Sequence, residues 1–127
     1  MKEQDWVKED LEQNINIKEN KMPSNFGKIQ ELANTDVEKL KEAEVSYGDS
    51  WRGRGGVGAF MMLARKWDRI ENQVTKDGYD IFKTIENDPS NTGILDDIQD
   101  LRRYLLLVES HMLLQTYIQD LEKREDI

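Results

Sequence analysis

The chain has 127 residues, 26 of them acidic and 18 basic, which gives a formal net charge of -8. This length suits one domain with a modest core, and the acidic surface should repel nucleic-acid phosphates rather than bind them broadly. Because cysteine is absent, disulfides and thiolate metal sites are excluded, which fits a cytoplasmic location. No apolar stretch approaches the roughly 20 residues that cross a bilayer, and no signal-peptide pattern opens the chain, so we expect no membrane partner.

The first 34 residues are polar and weakly patterned, and we expect them to form an arm outside a helical domain over residues 35–127. A short amphipathic helix around Trp6 precedes an irregular linker over residues 14–28. The sequence leaves open whether this arm is free or docks on a partner subunit.

The remainder of the chain predicts an all-α fold, a compact bundle of about four helices. A capping box at Thr35-Asp-Val-Glu38 predicts the start of a short helix that ends before Gly48. Apolar residues at spacings of three and four predict the other helices, and no segment shows the alternation of a strand. These helices are expected from about Val57 to Lys76, around Ile81 to Ile85, and from about Thr92 to Lys123.

Two acidic pairs stand at helical spacing on the two long helices, Asp68-x-x-Glu71 and Asp97-x-x-Asp100. On a helical wheel Glu71 and Asp97 lie about 60° from the centre of their apolar stripes, and the other two about 120°. If the helices pack antiparallel, four carboxylates converge and offer the oxygen ligands that Mg²⁺ prefers. The alternative is a pair of solvated helix faces, common in a chain with 35% charged residues.

The loop before the first long helix is rich in glycine, arginine and aromatic residues. Arg52 and Arg54 are suited to charge-assisted contacts with phosphate, next to a helix N-terminus whose free N–H groups favour an anion. Tyr47 and Trp51 are suited to stacking on a base. The alternative is a mobile surface loop whose arginines offset the acidic surface.

Three short motifs in order give the chain a resemblance to a known family. The motifs are Tyr47-Gly-Asp-Ser-Trp51, Lys66-x-x-Arg69 and Asp97-x-x-Asp100-Leu-x-x-Tyr104. Over roughly Thr35 to Met112 the chain is similar to the all-α nucleoside triphosphate pyrophosphatases of the MazG and dimeric dUTPase type, and more closely to the phage and bacterial nucleotide-modification-associated domain.

The resemblance implies roles for residues in these motifs. Asp68, Glu71, Asp97 and Asp100 would hold Mg²⁺, or Mn²⁺ in its place, and form the catalytic centre at which water attacks a nucleotide phosphate and pyrophosphate leaves. Asp stands at positions 68 and 97, where the family usually has Glu, and Arg103 stands where the closer family tends to have Asn.

The basic pair of the second motif and the aromatic residue of the third are further candidates. Lys66 and Tyr104 would contact substrate by resemblance. By wheel position, however, Lys66 and Arg69 lie mostly away from the acidic pair of their own helix, so a solvated role stays equally open. His111, the single histidine, lies eleven residues beyond Asp100, about 16 Å along the helix, which argues against a shared metal site. We interpret it as a packing or surface residue.

Two hypotheses of function follow. The first is a Mg²⁺-dependent nucleotide-binding protein, with pyrophosphohydrolase activity as its reaction. The second is a non-catalytic acidic protein, either a phage-type inhibitor of a host protein or a sponge for a signalling nucleotide. A homodimer or homotetramer is expected in either case, because the last helix is apolar on two sides and the resembled families build their sites between packed subunits.

Overall fold

The computed structural model describes residues 25–90 and 92–125, and every regular element in that part of the chain is helical. The prediction of an all-α fold is therefore confirmed. The described residues belong to two units, one up to Gly48 and one from Asp49. No helix among them is long and apolar enough to cross a membrane. The elements are α1 (Phe26–Tyr47), a 3-10 turn (Ser50–Arg52), α2 (Gly55–Thr75), α3 (Ile81–Glu86) and α4 (Gly93–Glu125).

Helix α1 begins earlier than the sequence predicted. It starts at Phe26, so Thr35 lies inside the helix and the proposed capping box is wrong. Strong helix formers occupy the turn before Thr35, and Lys28 and Glu31 form an ion pair of 3.2 Å near the start of the helix. Because the residues before Thr35 favour a helix, the helix does not begin at the threonine. The boundary expected at residues 34 and 35 falls inside this helix, and the short helix expected around Trp6 lies outside the described residues.

The second unit is built on α2 and α4, which lie side by side and run antiparallel. As the position in α2 rises from Lys66 to Arg69, its polar partner in α4 falls from Asp100 to Asp97. The core between them is small: Ile94 is only 2% exposed, and the partly buried residues of α3 and α4 complete it. Its members are Ile70, Val74 and Ile94, with Ile81, Ile85, Ile98 and Leu101 packed against them.

The buried face of α2 is rotated from the one expected. Of the apolar residues that recur at spacings of three and four along α2, Phe60 and Trp67 are 67% and 57% exposed, whereas Ile70 and Val74 are buried. Relative to Ile70, at 100° per residue, Glu71 lies about 100° round the helix and Asp68 about 160°. Within the second unit, the long helix α4 packs on one side of α2, and that side is centred on Ile70.

Helix α3 follows α2 through a tight turn. Gly78 and Tyr79 both have a φ of 65°, the left-handed backbone that reverses the chain after the predicted helix end. The Asp80 carboxylate then accepts hydrogen bonds from the backbone N–H groups of Phe82 and Lys83 at 3.1 and 3.2 Å. This side chain is an N-cap, and it fixes the start of α3.

Asp88 performs a similar role just before α4. Its carboxylate accepts from the Ser90 hydroxyl at 2.8 Å and from the Gly93 N–H at 2.9 Å. A side chain at Gly93 would crowd this contact, because its Cβ would lie 3.2 Å from the Asp88 carboxylate and 3.1 Å from the Gln73 amide oxygen. The Ser90 hydroxyl, followed by backbone N–H donors, lowers the pKa of Asp88 below its ordinary value of 3.8.

This cap predicts a pH-dependent stability. A carboxyl group whose pKa is lowered by folding stabilises the fold above its ordinary value and ceases to do so as the pH falls through the lowered value. We expect Asp88→Asn to unfold at a lower temperature than the native chain near neutral pH, with the difference fading below the ordinary value of 3.8. Thermal unfolding followed by circular dichroism across that range measures it. A difference that stayed constant into strong acid would contradict the capping account.

Candidate anion-binding groove

The predicted metal ligands of α4 are held by cationic side chains of α2. Asp97 is 3% exposed; its Oδ1 accepts from Arg69 Nε at 2.9 Å, and its Oδ2 accepts from the Gln73 amide. Asp100 Oδ2 lies 3.1 Å from Lys66 Nζ. The Lys66-x-x-Arg69 and Asp97-x-x-Asp100 motifs therefore form two ion pairs across one helix interface.

The four carboxylates do not converge, which corrects the geometric expectation. Asp68 and Glu71 are exposed on α2, rotated away from the face that meets α4. Within residues 25–90 and 92–125, no three Asp, Glu or His side chains are grouped so as to hold a metal ion. As arranged, these residues do not fit a shared Mg²⁺ site, because the oxygens of Asp97 are already satisfied by Arg69 and Gln73. Bound Mg²⁺ and catalysis by these four residues stay predictions.

Two of the predicted substrate-binding residues, Lys66 and Tyr104, contact one another. Lys66 Nζ lies 5.8 Å from the centroid of the Tyr104 ring, a cation–π distance, while the same ammonium group pairs with Asp100. The Lys66 side chain is 18% exposed, so its charge is largely shielded from solvent. These contacts hold the middle of the α2–α4 interface together.

An open groove lies further along the same two helices, beside the 3-10 turn. Its volume is about 470 Å³, within the range of small-molecule sites. Most of its wall is apolar, with arginine, histidine and glutamine side chains among the lining residues. They are Trp51, Arg52, Gly55, Gly56, Ala59, Phe60, Leu63, Val108, His111, Met112 and Gln115.

Arg52 organises the polar part of this groove. Its Nη2 donates to Asp49 Oδ2 at 2.8 Å, and its Nη1 lies 2.8 Å from His111 Nδ1 on α4. The Trp51 ring stands edge-on to the imidazole, with ring centroids 5.9 Å apart and an interplanar angle of 89°. The Arg52 guanidinium carbon also lies 5.6 Å from the Trp51 ring centroid. A cation, an imidazole and an indole thus meet at one point of the groove.

The N-terminus of α2 adds donors to the same groove. Gly55 and Gly56, its first two residues, line the groove, and the antiparallel register brings Gly55 near the level of His111. The first N–H groups of a helix lack intrahelical acceptors and carry partial positive charge. No N-cap side chain accepts from them and no acidic residue stands in the first turn. The local field at this point therefore favours an anion, despite the net negative charge of the chain.

The other residues predicted for substrate binding lie elsewhere. Tyr47 is the exposed last residue of α1, in the first unit, and Arg54 is the exposed residue at the N-cap position of α2. Sequence reasoning identified Trp51 and Arg52 but missed His111. A histidine 59 residues from its arginine partner carries no local signal, and only the antiparallel packing of α2 on α4 reveals the contact.

Comparisons of this chain with models of known protein families, with curated proteins and with solved structures found no match. The resemblance to all-α nucleotide pyrophosphatases therefore stays a prediction that rests on the three motifs.

Proposed function

We propose that this chain binds a phosphate-bearing nucleotide in the groove between the 3-10 turn, α2 and α4. The observation that carries the proposal is the Arg52 guanidinium, held by Asp49 and His111 beside the uncapped N-terminus of α2. An anion contacts the guanidinium and the backbone N–H groups of Gly55 and Gly56. The nucleoside contacts the apolar wall, where Trp51 and Phe60 supply aromatic surface.

The binding groups of this groove are N–H donors, so ligand binding there requires no metal ion. This distinguishes it from the Mg²⁺-dependent hypothesis, in which carboxylates form the site. The pairing of Asp97 and Asp100 with Arg69 and Lys66 supports a structural role for these acids. Of the two functional hypotheses, the arrangement favours the non-catalytic one, a protein that retains a nucleotide. Pyrophosphohydrolase activity stays a prediction.

Calorimetric titration in EDTA tests the proposal, with nucleoside mono-, di- and triphosphates as ligands and free nucleosides as controls. We expect the phosphorylated ligands to bind without Mg²⁺ and the free nucleosides to bind far more weakly. Pyrophosphate detection after incubation with Mg²⁺ addresses turnover separately. Binding that appears only with Mg²⁺, accompanied by pyrophosphate release, would support the carboxylate hypothesis instead.

We also propose that two copies of the chain pair through the distal part of α4. This helix has 33 residues, about 50 Å, against 21 residues or about 32 Å for α2. Because Gly55 at the start of α2 lies near the level of His111, the last part of α4 has no stretch of α2 beside it. That part exposes an apolar face, which we call the C-terminal apolar face: Leu113, Leu114, Tyr117, Ile118 and Leu121.

The C-terminal apolar face gives a direct prediction about oligomeric state. Leu114 is 59% exposed, and a charge there would be buried without a partner in a dimer. We expect Leu114→Glu to shift the chain from dimer to monomer in size-exclusion chromatography with light scattering. The matched control is Gln119→Glu, which adds the same charge at an exposed position of α4 outside this face. A native chain that is monomeric at high micromolar concentration would contradict the proposal.

A further inference from the structure

The hydrogen bond between Arg52 and His111 assigns the acceptor nitrogen of the imidazole. An arginine guanidinium stays protonated at all ordinary pH values, so Arg52 Nη1 donates across the 2.8 Å to His111 Nδ1. Nδ1 must then carry a lone pair, and the proton of the neutral ring lies on Nε2. Protonated His111 would present a second donor to the guanidinium, and the hydrogen bond would be replaced by repulsion between two cations.

An anion bound in the groove changes which protonation state of His111 is favoured. A phosphate group takes over the guanidinium N–H of Arg52, which releases Nδ1 from its role as acceptor. A protonated imidazole can then donate to the same anion, and the two cations are bridged rather than opposed. The edge-on Trp51 ring, with its centroid 5.9 Å from that of the imidazole, packs against His111 at the groove wall.

Few charged groups lie around His111. From the side of the 3-10 turn the ring faces Arg52, whose other nitrogen is held by Asp49. The residues by which α2 lines the groove are glycine, alanine, phenylalanine and leucine, none of them ionisable. From α4 itself the lining neighbours are Val108, Met112 and Gln115, also without charge. Within the described part of the chain, the ionisable groups at this wall are thus His111, Arg52 and Asp49.

We infer that anion binding in the groove is coupled to uptake of one proton by His111, so that the groove holds an anion of constant charge more tightly as the pH falls. The inference rests on the proposed function and adds a specificity-determining residue to it. The direction of the pH effect follows from linkage. If a bound anion makes protonation of His111 more favourable by some factor, protonation of His111 strengthens anion binding by the same factor. The doubly cationic groove favours a dianionic phosphate over a singly charged one.

Sulfate is the probe that separates this coupling from titration of the ligand, because its charge does not change between about pH 5 and about pH 8. We expect the affinity of the native chain for sulfate, measured by calorimetry, to be about tenfold higher at the acid end, as one additional nearby positive charge would give. In His111→Asn the amide oxygen, bonded to Cγ as Nδ1 is, replaces Nδ1 as acceptor for Arg52 but does not titrate. We expect this variant to bind sulfate with little dependence on pH.

A second measurement needs no variant, because His111 is the single histidine of the chain. Its imidazole C–H proton signals in NMR report protonation without ambiguity, and sulfate added partway through the titration should move them toward the protonated position. If the native chain binds sulfate equally well at about pH 5 and about pH 8, or if His111→Asn keeps the native pH dependence, the proton coupling is wrong and the groove assignment stands. If sulfate does not bind saturably at either end, the anion groove itself is wrong.

Discussion

Replacing Arg52 by alanine is expected to weaken nucleotide binding by about 10- to 100-fold. A hydrogen bond to a charged group contributes about 1.5 to 3 kcal/mol, and each 1.4 kcal/mol corresponds to a factor of about ten in affinity. The replacement also removes the donor to His111 Nδ1. The polar part of the groove therefore loses the positive charge of Arg52, and the imidazole loses a contact that orients it. Calorimetric titration with the tightest nucleoside phosphate measures the loss.

The matched control for this variant is Arg65→Ala. Arg65 is exposed on α2 and does not line the groove, yet its replacement changes the net charge by the same amount. We expect Arg65→Ala to bind within about twofold of the native chain. Arg65 lies ten residues along α2 from Gly55, about 15 Å, and exposed charges more than about 10 Å away are largely screened by salt. Equal losses in the two variants would mean that overall charge, rather than the groove, governs binding.

Asp97→Ala is expected to lower the free energy of unfolding by about 2 kcal/mol, and Asp68→Ala to change it by no more than about 0.5 kcal/mol. Asp97 is buried, and its loss removes the acceptor of the Arg69 guanidinium and leaves the Gln73 amide with the Arg69 carbonyl oxygen as acceptor. We place the cost below that of a fully buried pair because the Arg69 side chain is 66% exposed and is screened by water. Asp68 is exposed.

Urea unfolding followed by circular dichroism compares the two variants. Both exchange a helical Asp for Ala, so the gain in helix propensity is shared and the difference reports the partners of each carboxylate. Repeating the series with Mg²⁺ makes the comparison decisive between the ion-pair and metal-site accounts. If Mg²⁺ stabilised the native chain and both variants lost that stabilisation alike, the carboxylates would form the predicted metal site and the ion-pair account would be wrong.

The ion pairs between α2 and α4 also bear on how the groove is formed. Lys66–Asp100 and Arg69–Asp97 fix the antiparallel register of two helices whose shared apolar core is small. That register brings His111 to the level of the α2 N-terminus, where Arg52 meets it. A displacement of one helix along the other would break both ion pairs and the Arg52–His111 contact. Through the helix register, the acidic motif therefore supports the shape of the groove.

Local patterns in the sequence were sufficient to predict the helices of the second unit. The expected helices from about Val57 to Lys76 and from about Thr92 to Lys123 are close to the observed α2 and α4, because apolar periodicity and the Gly78 stop act within a few residues. The start of α1 was wrong for the converse reason. A capping pattern at Thr35 does not start a helix where good helix formers already precede it.

The sequence by itself determined the all-α class, the course of the two long helices, and the presence of arginine and tryptophan before a glycine-rich helix start. Only the tertiary structure decided which side of each helix is covered. Rotation of a helix about its axis depends on the neighbour it packs against, and in this chain that rotation buried Asp97, paired Asp100 with Lys66 and exposed Asp68 and Glu71. The meeting of Arg52 with His111 has the same origin, since residues 59 apart become neighbours only through the packing of α2 on α4.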